Sequence, residues 1–231
     1  MKPIIGITPR VMTHSNNYKV QINVSYLTPF NKRDLNVIIL PLDSPNIEEL
    51  LPLCDGFLIP GGDDIDPKWY NESNEEGLSK DIDPLLDEVD NIVIKYAVEN
   101  KVPTLGICRG VQSLAAFLGG SLHQDMEHDN LKHEAIDHKH IVYTMENTQI
   151  SHLFPKEFMI NSYHHQVVKK VPAGFVKTHY YQDVIEGIAH ETLPIFGVQW
   201  HPERFDSVES EAIFDYFVSL VHKFNKQKTD E

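Results

Sequence analysis

The sequence lacks any long hydrophobic run, and it contains two cysteines among its 231 residues. No stretch approaches the roughly 18 consecutive apolar residues that a membrane span requires. The N-terminal segment is too short and too strand-like for a signal peptide. We therefore expect a cytoplasmic protein, and in that compartment Cys54 and Cys108 have no need to form a stabilising disulfide.

Positive charge is scarce as well. The chain has 20 lysines and arginines against 34 aspartates and glutamates, which gives a formal net charge of -14. This balance repels phosphate backbones and anionic lipid surfaces, and no basic patch offsets it. We therefore expect neither nucleic-acid nor membrane binding, and we expect the ligand to be a small molecule.

The chain also lacks internal repeats, low-complexity tracts and any segment typical of an interdomain linker. Its 41% hydrophobic content is enough to bury one substantial core. We predict a single domain over residues 1–231. The polar residues 225–231 at the C-terminus are expected to fray.

What the sequence does contain is a series of short apolar runs separated by helical patterns. Four runs are continuously hydrophobic, as in strands covered on both faces, and lie at residues 4–7, 37–40, 56–59 and 104–107. An amphipathic helix pattern between the last two implies a parallel crossover. The later part of the chain predicts an antiparallel extension of an α/β sheet, because strand-like runs lie close together at residues 140–143, 175–181, 184–189 and 195–198. A final helix is predicted over about residues 208–224.

Residues 123–140 are polar and have no periodic apolar face, which predicts a long surface connection. The segment carries five histidines: His123, His128, His133, His138 and His140. They could bind zinc, but none falls in a helical metal-binding pattern, so we prefer a solvated loop and expect no metal. Whether this loop closes over a ligand stays open.

Cys108 has the sequence setting of a nucleophile elbow. It lies between a buried strand pattern and a helix pattern, and Gly106 and Gly110 leave room for a sharp turn. The start of the following helix favours thiolate over thiol. The alternative is a buried structural cysteine, which is how we interpret Cys54.

His201 and Glu203 follow the last predicted strand. In a parallel sheet the loops after the strands share one edge with the elbow, so His201 can act as the base for Cys108. Glu203 can accept a hydrogen bond from the imidazole and fix its tautomer. Alternatively, His201 merely ends the strand and Glu203 caps the next element.

The segment Pro60-Gly61-Gly62-Asp63 reaches the same edge. Backbone N–H groups of Gly61 and Gly62, together with that of Arg109, could form an oxyanion hole. Two adjacent glycines are equally compatible with a simple tight turn. A phosphate loop is excluded because the Gly-Lys-Ser/Thr ending is missing.

Taken together, these motifs resemble the class I glutamine amidotransferase-like superfamily, and in particular its peptidase C26 branch. The resemblance rests on Pro60-Gly-Gly-Asp, Gly106-Ile-Cys-Arg-Gly-Val-Gln112, Asn161-Ser-Tyr-His-His-Gln166 and Gly197-Val-Gln-Trp-His-Pro-Glu203. It implies a three-layer αβα, flavodoxin-like fold that needs no cofactor. It also implies that the glutamyl group is bound by Gln112, Ser162, Tyr163, His164 and His165.

The resemblance implies cysteine-dependent hydrolysis of a γ-glutamyl amide, such as γ-glutamyl-γ-aminobutyrate, through a thioester. One departure is Leu86-Asp87-Glu88, where many relatives have an arginine, so the substrate stays open. The alternatives are a glutaminase subunit that supplies ammonia to a synthase partner, and a noncatalytic binding or stress protein. The leaving amine and any homo-oligomer are not determined by the sequence.

Overall fold

The computed structural model describes residues 2–14, 17–131 and 137–230, and its central feature is a large mixed β-sheet. The strands are β1 (Ile4–Ile7), β2 (Arg10–His14), β3 (Asn17–Gln21), β4 (Asn36–Ile39), β5 (Gly56–Ile59), β6 (Thr104–Ile107), β7 (Ser121–His123), β8 (Lys139–Thr144), β9 (Glu157–Asn161), β10 (Val167–Lys170), β11 (Phe175–Tyr181), β12 (Val184–His190) and β13 (Ile195–Val198). In the described part of the chain, eleven of them form one sheet. Strands β2 and β3 form a separate antiparallel hairpin.

The parallel half of the sheet has the strand order β4-β1-β5-β6-β13. This is the order of a flavodoxin-like doubly wound sheet, in which ligands bind beyond the carboxyl ends of the strands. Strands β5, β6 and β13 are buried along their whole length, as their continuous apolar sequences require. The predicted parallel core is therefore confirmed.

Helices cover both faces of this sheet. They are α1 (Thr28–Lys32), α2 (Ile47–Leu50), α3 (Pro84–Asn100), α4 (Arg109–Phe117) and α5 (Val208–Asp230). Apolar residues of α2, α3 and α4 pack in one core cluster, and those of α1 and α5 pack in another. The three-layer αβα arrangement is therefore confirmed.

The other half of the sheet is the antiparallel extension β12-β11-β8-β9. Strand β10 pairs with β12, and β7 pairs with β10. The sequence indicated β8, β11 and β12, but it missed β7, β9, β10 and the β2–β3 hairpin. Strand β7 has only three residues, and β9 alternates buried and exposed residues over most of its length. Part of the expected loop over residues 123–140 is instead strand, at its two ends, and His133 lies outside the described residues.

The C-terminal helix continues further than expected. Helix α5 runs to Asp230, whereas the sequence pattern placed its end at about residue 224; fraying of residues 225–231 stays a prediction. The Lys228 ammonium donates to the backbone oxygen of Pro52 at 2.7 Å and to the Asp55 carboxylate at 3.1 Å. These contacts tie the last turns of the helix to the loop before β5.

Strand β6 and helix α4 approach each other very closely around the elbow. A Cβ added at Gly106 would lie 2.6 Å from the backbone of Gly110, and one added at Gly110 would lie 2.0 Å from the carbonyl oxygen of Ile59. Such distances leave no room for a side chain. Both glycines are therefore required for α4 to start directly above β5 and β6.

Within the described ranges, we find no helix with the length and apolar character needed to cross a membrane.

We predict that Gly110→Ala destabilises the protein by about 3 kcal/mol, because its methyl group would meet backbone atoms of β5 that have no free space to move into. The measurement is urea unfolding at equilibrium. Gly77→Asn is the control: Gly77 has φ 64° with no atom near its Cβ position, and asparagine tolerates that conformation. A Gly110→Ala variant as stable as Gly77→Asn would contradict the close contact.

Candidate active site

Cys108 lies between β6 and α4 with backbone angles φ 53° and ψ -109°. A non-glycine residue in this region is strained, and such strain persists where the surrounding structure enforces it. The Cys108 N–H donates to the Val198 carbonyl at 2.8 Å, which attaches the turn to β13. The side chain is thereby held at the carboxyl ends of the parallel strands, in the position the elbow pattern predicted.

His201 follows β13 and is fixed from two sides. Its Nδ1 lies 2.8 Å from Glu203 Oε1. Its backbone is held by Asn161, whose Oδ1 accepts from the His201 N–H at 2.7 Å and whose Nδ2 donates to the His201 carbonyl at 2.9 Å. The imidazole therefore has one preferred orientation, with Nδ1 toward Glu203.

The charges around His201 favour the imidazolium form. Burial lowers the pKa of His201, but the charge of Cys108, hydrogen bonds to Cys108 and Glu203, and the Glu203 carboxylate together raise that pKa to about 10. A buried imidazolium next to a thiol stabilises the thiolate. The three residues predicted as nucleophile, base and orienting carboxylate are therefore together and electrostatically coupled.

The turn Pro60–Gly62 approaches this group from β5. A Cβ at Gly61 would lie 2.8 Å from His201 Cε1 and 3.4 Å from Cys108 Cβ, so this position must be glycine. The Gly61 N–H donates to Tyr26 Oη at 3.0 Å, and the same oxygen lies 3.4 Å from His201 Nδ1. Arg109 is the first residue of α4, so its N–H has no carbonyl one turn earlier to bond.

Tyr26 was not among the residues predicted for the site. It precedes Gly61 by 35 residues, and no local motif surrounds it that would have marked it.

A cavity of ≈ 360 Å³ opens onto Cys108 and His201. Of the residues predicted for the site, Gly61, Gly62 and Tyr163 also line it. The remaining lining residues are Arg10, Val11, Gln21, Ile22, Asn23, Tyr26, Asp63 and Arg204. Several come from the β2–β3 hairpin and the segment that follows it, and none of these was predicted from the sequence to belong to the site.

Only some of the predicted glutamyl-binding residues lie at the cavity that opens onto Cys108. Tyr163 is 53% exposed, and its ring lies 6.0 Å from that of His201. Ser162 is buried, and its N–H donates to the His138 carbonyl at 2.8 Å. His164 and His165 line a neighbouring cavity, not the one at Cys108.

Gln112 is connected to the thiol indirectly. Its Nε2 donates to the Gln166 carbonyl at 2.9 Å and to Gln199 Oε1 at 3.3 Å, and Gln199 Nε2 donates to Cys108 Sγ at 3.7 Å. Gln199 was not predicted as a site residue. It lies inside the Gly197–Glu203 motif, so the motif did contain a signal for it.

Beneath the elbow lies a buried network of four charged side chains. Arg109 pairs with Asp87 at 2.6 Å and also with Asp90. Arg10 pairs with Asp90 at 3.3 Å and donates to the Gly61 carbonyl at 2.7 Å. A guanidinium from β2 therefore links the Pro60–Gly62 turn to Asp90 of helix α3.

The four described histidines of residues 123–140 contact acidic and aromatic side chains. His123 and His128 both pair with Asp129, the His138 ring stacks on Tyr163, and His140 lies 3.1 Å from Glu186. Across the residues with described positions, no group of three or more His, Cys, Asp or Glu side chains is arranged to hold a metal ion.

Comparisons with known proteins show which family and which fold the chain shares. The sequence profile of the peptidase C26 family matches residues 3–203. The γ-glutamyl-γ-aminobutyrate hydrolase PuuD of Escherichia coli is 32% identical over 84% of this chain and 87% of its own length. The glutamine amidotransferase-like protein YvdE of Lactococcus lactis is 33% identical over 84% and 86%. The solved structure of a glutamine amidotransferase from Methylobacillus flagellatus, 15% identical, has a TM-score of 0.66 and covers 95% of each chain.

We predict that Glu203→Gln lowers the pKa of His201 below its value of about 10, because the carboxylate that stabilises the imidazolium is removed. The measurement is an NMR titration of the labelled His201 ring. Glu99→Gln, which removes an exposed carboxylate on α3, is the control and should leave the titration unchanged. A neutral His201 ring at pH 7 in the unaltered protein would contradict the ion pair.

We also predict a pH-dependent contribution to stability from His165. A hydrogen bond to Asp64, at 3.0 Å, raises the pKa of His165 despite partial burial. The stabilisation is complete below the unfolded-state pKa of about 6.5 and is lost as the pH rises through the higher folded-state pKa. The difference in urea midpoint between the unaltered protein and His165→Gln should thus be larger at pH 6 than at pH 9. In an Asp64→Asn background that pH dependence should become smaller, and the remainder should come from Asp125, whose carboxylate lies 3.3 Å from His165 Nδ1. An undiminished pH dependence in that background would show that Asp64 is not its main cause.

Proposed function

The chain belongs to the peptidase C26 family, and on that premise we propose that it hydrolyses γ-glutamyl amides through a cysteine nucleophile. Membership makes it a hydrolase acting on carbon–nitrogen bonds, as its relative in Escherichia coli is. The observation that carries the proposal is the strained Cys108 beside the buried His201–Glu203 pair at one cavity. A nucleophile, a base and an orienting carboxylate in this relation are what acyl transfer requires.

In the first half of the proposed reaction, the Cys108 thiolate attacks the γ-carbonyl carbon of the substrate. The electron pair of the C=O π bond moves to the carbonyl oxygen. The resulting oxyanion needs backbone donors. We assign this role to the N–H groups of Gly62 and Arg109. The Gly61 N–H joins them when the substrate oxygen replaces the Tyr26 hydroxyl as the acceptor of its hydrogen bond. His201 then protonates the leaving nitrogen as the C–N bond breaks, and a γ-glutamyl thioester remains on Cys108.

In the second half, His201 removes a proton from water, which attacks the thioester carbonyl. Breaking the C–S bond releases glutamate and regenerates the thiolate with protonated His201. Glu203 holds the Nδ1–H throughout, so that Nε2 faces the reacting atoms. We propose Tyr163, on the cavity wall, and Gln112, through Gln199, as the residues of the predicted set that help position the glutamyl group.

A glutaminase subunit is the second candidate, because the Lactococcus lactis relative is named glutamine amidotransferase-like. Such a subunit would release ammonia from glutamine and pass it to a synthase partner. It should act slowly on glutamine alone and faster when the partner is present. A freestanding hydrolase should cleave γ-glutamyl amides without any partner.

We predict that the purified chain releases glutamate from γ-glutamyl amides and that Cys108→Ala lowers kcat by at least about a thousandfold, because the nucleophile is removed. The assay measures glutamate from a panel of amides that includes glutamine. Cys54→Ala is the matched control: it removes the other buried thiol, which lies outside the cavity, and should keep the activity. Equal release by the unaltered protein and Cys108→Ala would rule out the thioester route, and no release from any amide would rule out the freestanding hydrolase.

A further inference from the structure

A second polar side chain, besides that of His201, reaches the sulfur of Cys108. Gln199 is the first residue after β13, and its Nε2 lies 3.7 Å from Cys108 Sγ. Its backbone N–H donates to the Glu186 carbonyl at 2.8 Å, which attaches it to β12. Gln199 is 0% exposed. The polar atoms of such a buried amide need partners within the protein, so the contact with the sulfur is one of its hydrogen bonds.

The direction of the Gln199 amide follows from its neighbours. The backbone carbonyl of Gln166 can only accept, so the Gln112 atom 2.9 Å from it must be the NH2 nitrogen. The same nitrogen lies 3.3 Å from the Gln199 amide, and the Gln199 atom at that end must therefore be the accepting oxygen. The other end of this amide faces the sulfur. It is consequently the NH2 group, which can only donate.

This row of amides is anchored at a distance from the thiol. The side chain of Gln166 donates to Ser79 Oγ at 3.0 Å and to the Gln124 carbonyl at 3.1 Å. Gln112 and Gln166 are both buried. Gln199 cannot turn its oxygen toward the sulfur without breaking its bond to Gln112, so an N–H donor is held at the sulfur in advance of the reaction.

An N–H donor at this place discriminates between the states of the sulfur. A thiolate accepts a charge-assisted hydrogen bond, whereas the neutral sulfur of a thioester is a weak acceptor. In the second half of the proposed reaction the C–S bond breaks and its electron pair returns to the sulfur. The donor therefore favours the thiolate both before acylation and at the moment when the thiolate leaves.

We propose that Gln199 is a catalytic residue whose side-chain N–H stabilises the Cys108 thiolate, first as nucleophile and again as leaving group. The nucleophile role concerns the protein alone, and the leaving-group role rests on the proposed γ-glutamyl hydrolase activity. The sulfur then has two donors of different kinds. His201 is a cation that also transfers protons, and Gln199 is a neutral donor that keeps its proton. Gln112 is a positioning residue that acts through Gln199.

The nucleophile role is tested with 2,2′-dithiodipyridine, a disulfide that a thiolate cleaves with release of a coloured thione. Rates are measured against pH in a Cys54→Ala parent, so that Cys108 is the thiol that reports. Gln199→Met removes the donor and keeps a side chain of similar volume. Loss of a hydrogen bond to an anion changes ionisation by about tenfold.

A less stabilised thiolate is less abundant but more nucleophilic, and the gain in nucleophilicity offsets about half of the loss on a logarithmic scale. We therefore expect Gln199→Met to react about threefold more slowly than the parent at the acid end of the pH profile. At the alkaline end it should react about threefold faster. The two profiles should cross.

Two further variants separate loss of the donor from a general disturbance of the site. Gln112→Met keeps the donor but removes the group that fixes its direction, so it should shift the profile the same way by a smaller factor. It also decides the question if Gln199→Met is too unstable to measure, which urea unfolding establishes. Gln149→Met is the matched control: its Nε2 donates to the His190 carbonyl at 2.6 Å beside a different cavity, and its profile should superimpose on that of the parent.

The leaving-group role is tested by intact-protein mass spectrometry during turnover of a γ-glutamyl amide. The γ-glutamyl thioester should decay about threefold more slowly in Gln199→Met than in the parent, because its leaving thiolate is less stabilised. The thioester should accordingly make up a larger fraction of the protein in that variant. Gln149→Met should match the parent here as well.

A Gln199→Met profile lowered by one constant factor at every pH would indicate a structural role only and would overturn the inference. A profile identical to that of Gln149→Met would overturn it too. Crossing profiles with unchanged decay of the thioester would remove the leaving-group role. Absence of glutamate from every amide would overturn the proposed function and the leaving-group role with it, while the pH profile, which needs no substrate, would still decide the nucleophile role.

Discussion

The rest of the site depends on the buried ion network of Arg109, Asp87, Asp90 and Arg10. The network joins three separate parts of the chain: the elbow helix, helix α3 and the start of the β2–β3 hairpin. Arg109 is 1% exposed and both aspartates are fully buried. Removing one partner from such a network leaves an uncompensated buried charge, at a cost of roughly 3 to 5 kcal/mol. The elbow and the Pro60–Gly62 turn are consequently fixed relative to one another.

This rigidity explains how Cys108 can hold an unfavourable backbone conformation. Strain at one residue costs of order 1 to 3 kcal/mol and must be offset by its surroundings. Here the glycine contacts between β6 and α4, the hydrogen bond to Val198 and the ion network all oppose relaxation. Cys108 and His201 are therefore held next to each other in advance, and preorganisation of this kind is a condition for effective electrostatic catalysis.

The sequence predicted those parts of the molecule that are encoded locally. Continuous apolar runs marked β1, β5, β6 and β13, and glycine spacing marked the elbow. Tyr26 and Arg10 could not be found this way, because their roles arise from contacts with residues 35 and 51 positions away. Helix α5 beyond residue 224 was missed because its polar sequence is held by a tertiary contact of Lys228. His164 and His165 were assigned to the glutamyl-binding set from their motif alone. The orientation of their side chains depends on carboxylates elsewhere in the chain.

The β2–β3 hairpin has a consequence for how this enzyme can diversify. Val11 and Gln21 of the hairpin belong to the cavity wall, yet neither strand pairs with the main sheet in the described part of the chain. Tyr18 fastens the hairpin to the N-terminal end of α3 through a 2.6 Å bond to Asp83. Changes of length or sequence in this module can therefore reshape the pocket without altering sheet register. Arg10 is the exception, because its contacts with Asp90 and the Gly61 carbonyl belong to the network on which the elbow depends; the module is therefore free to vary beyond its first residue.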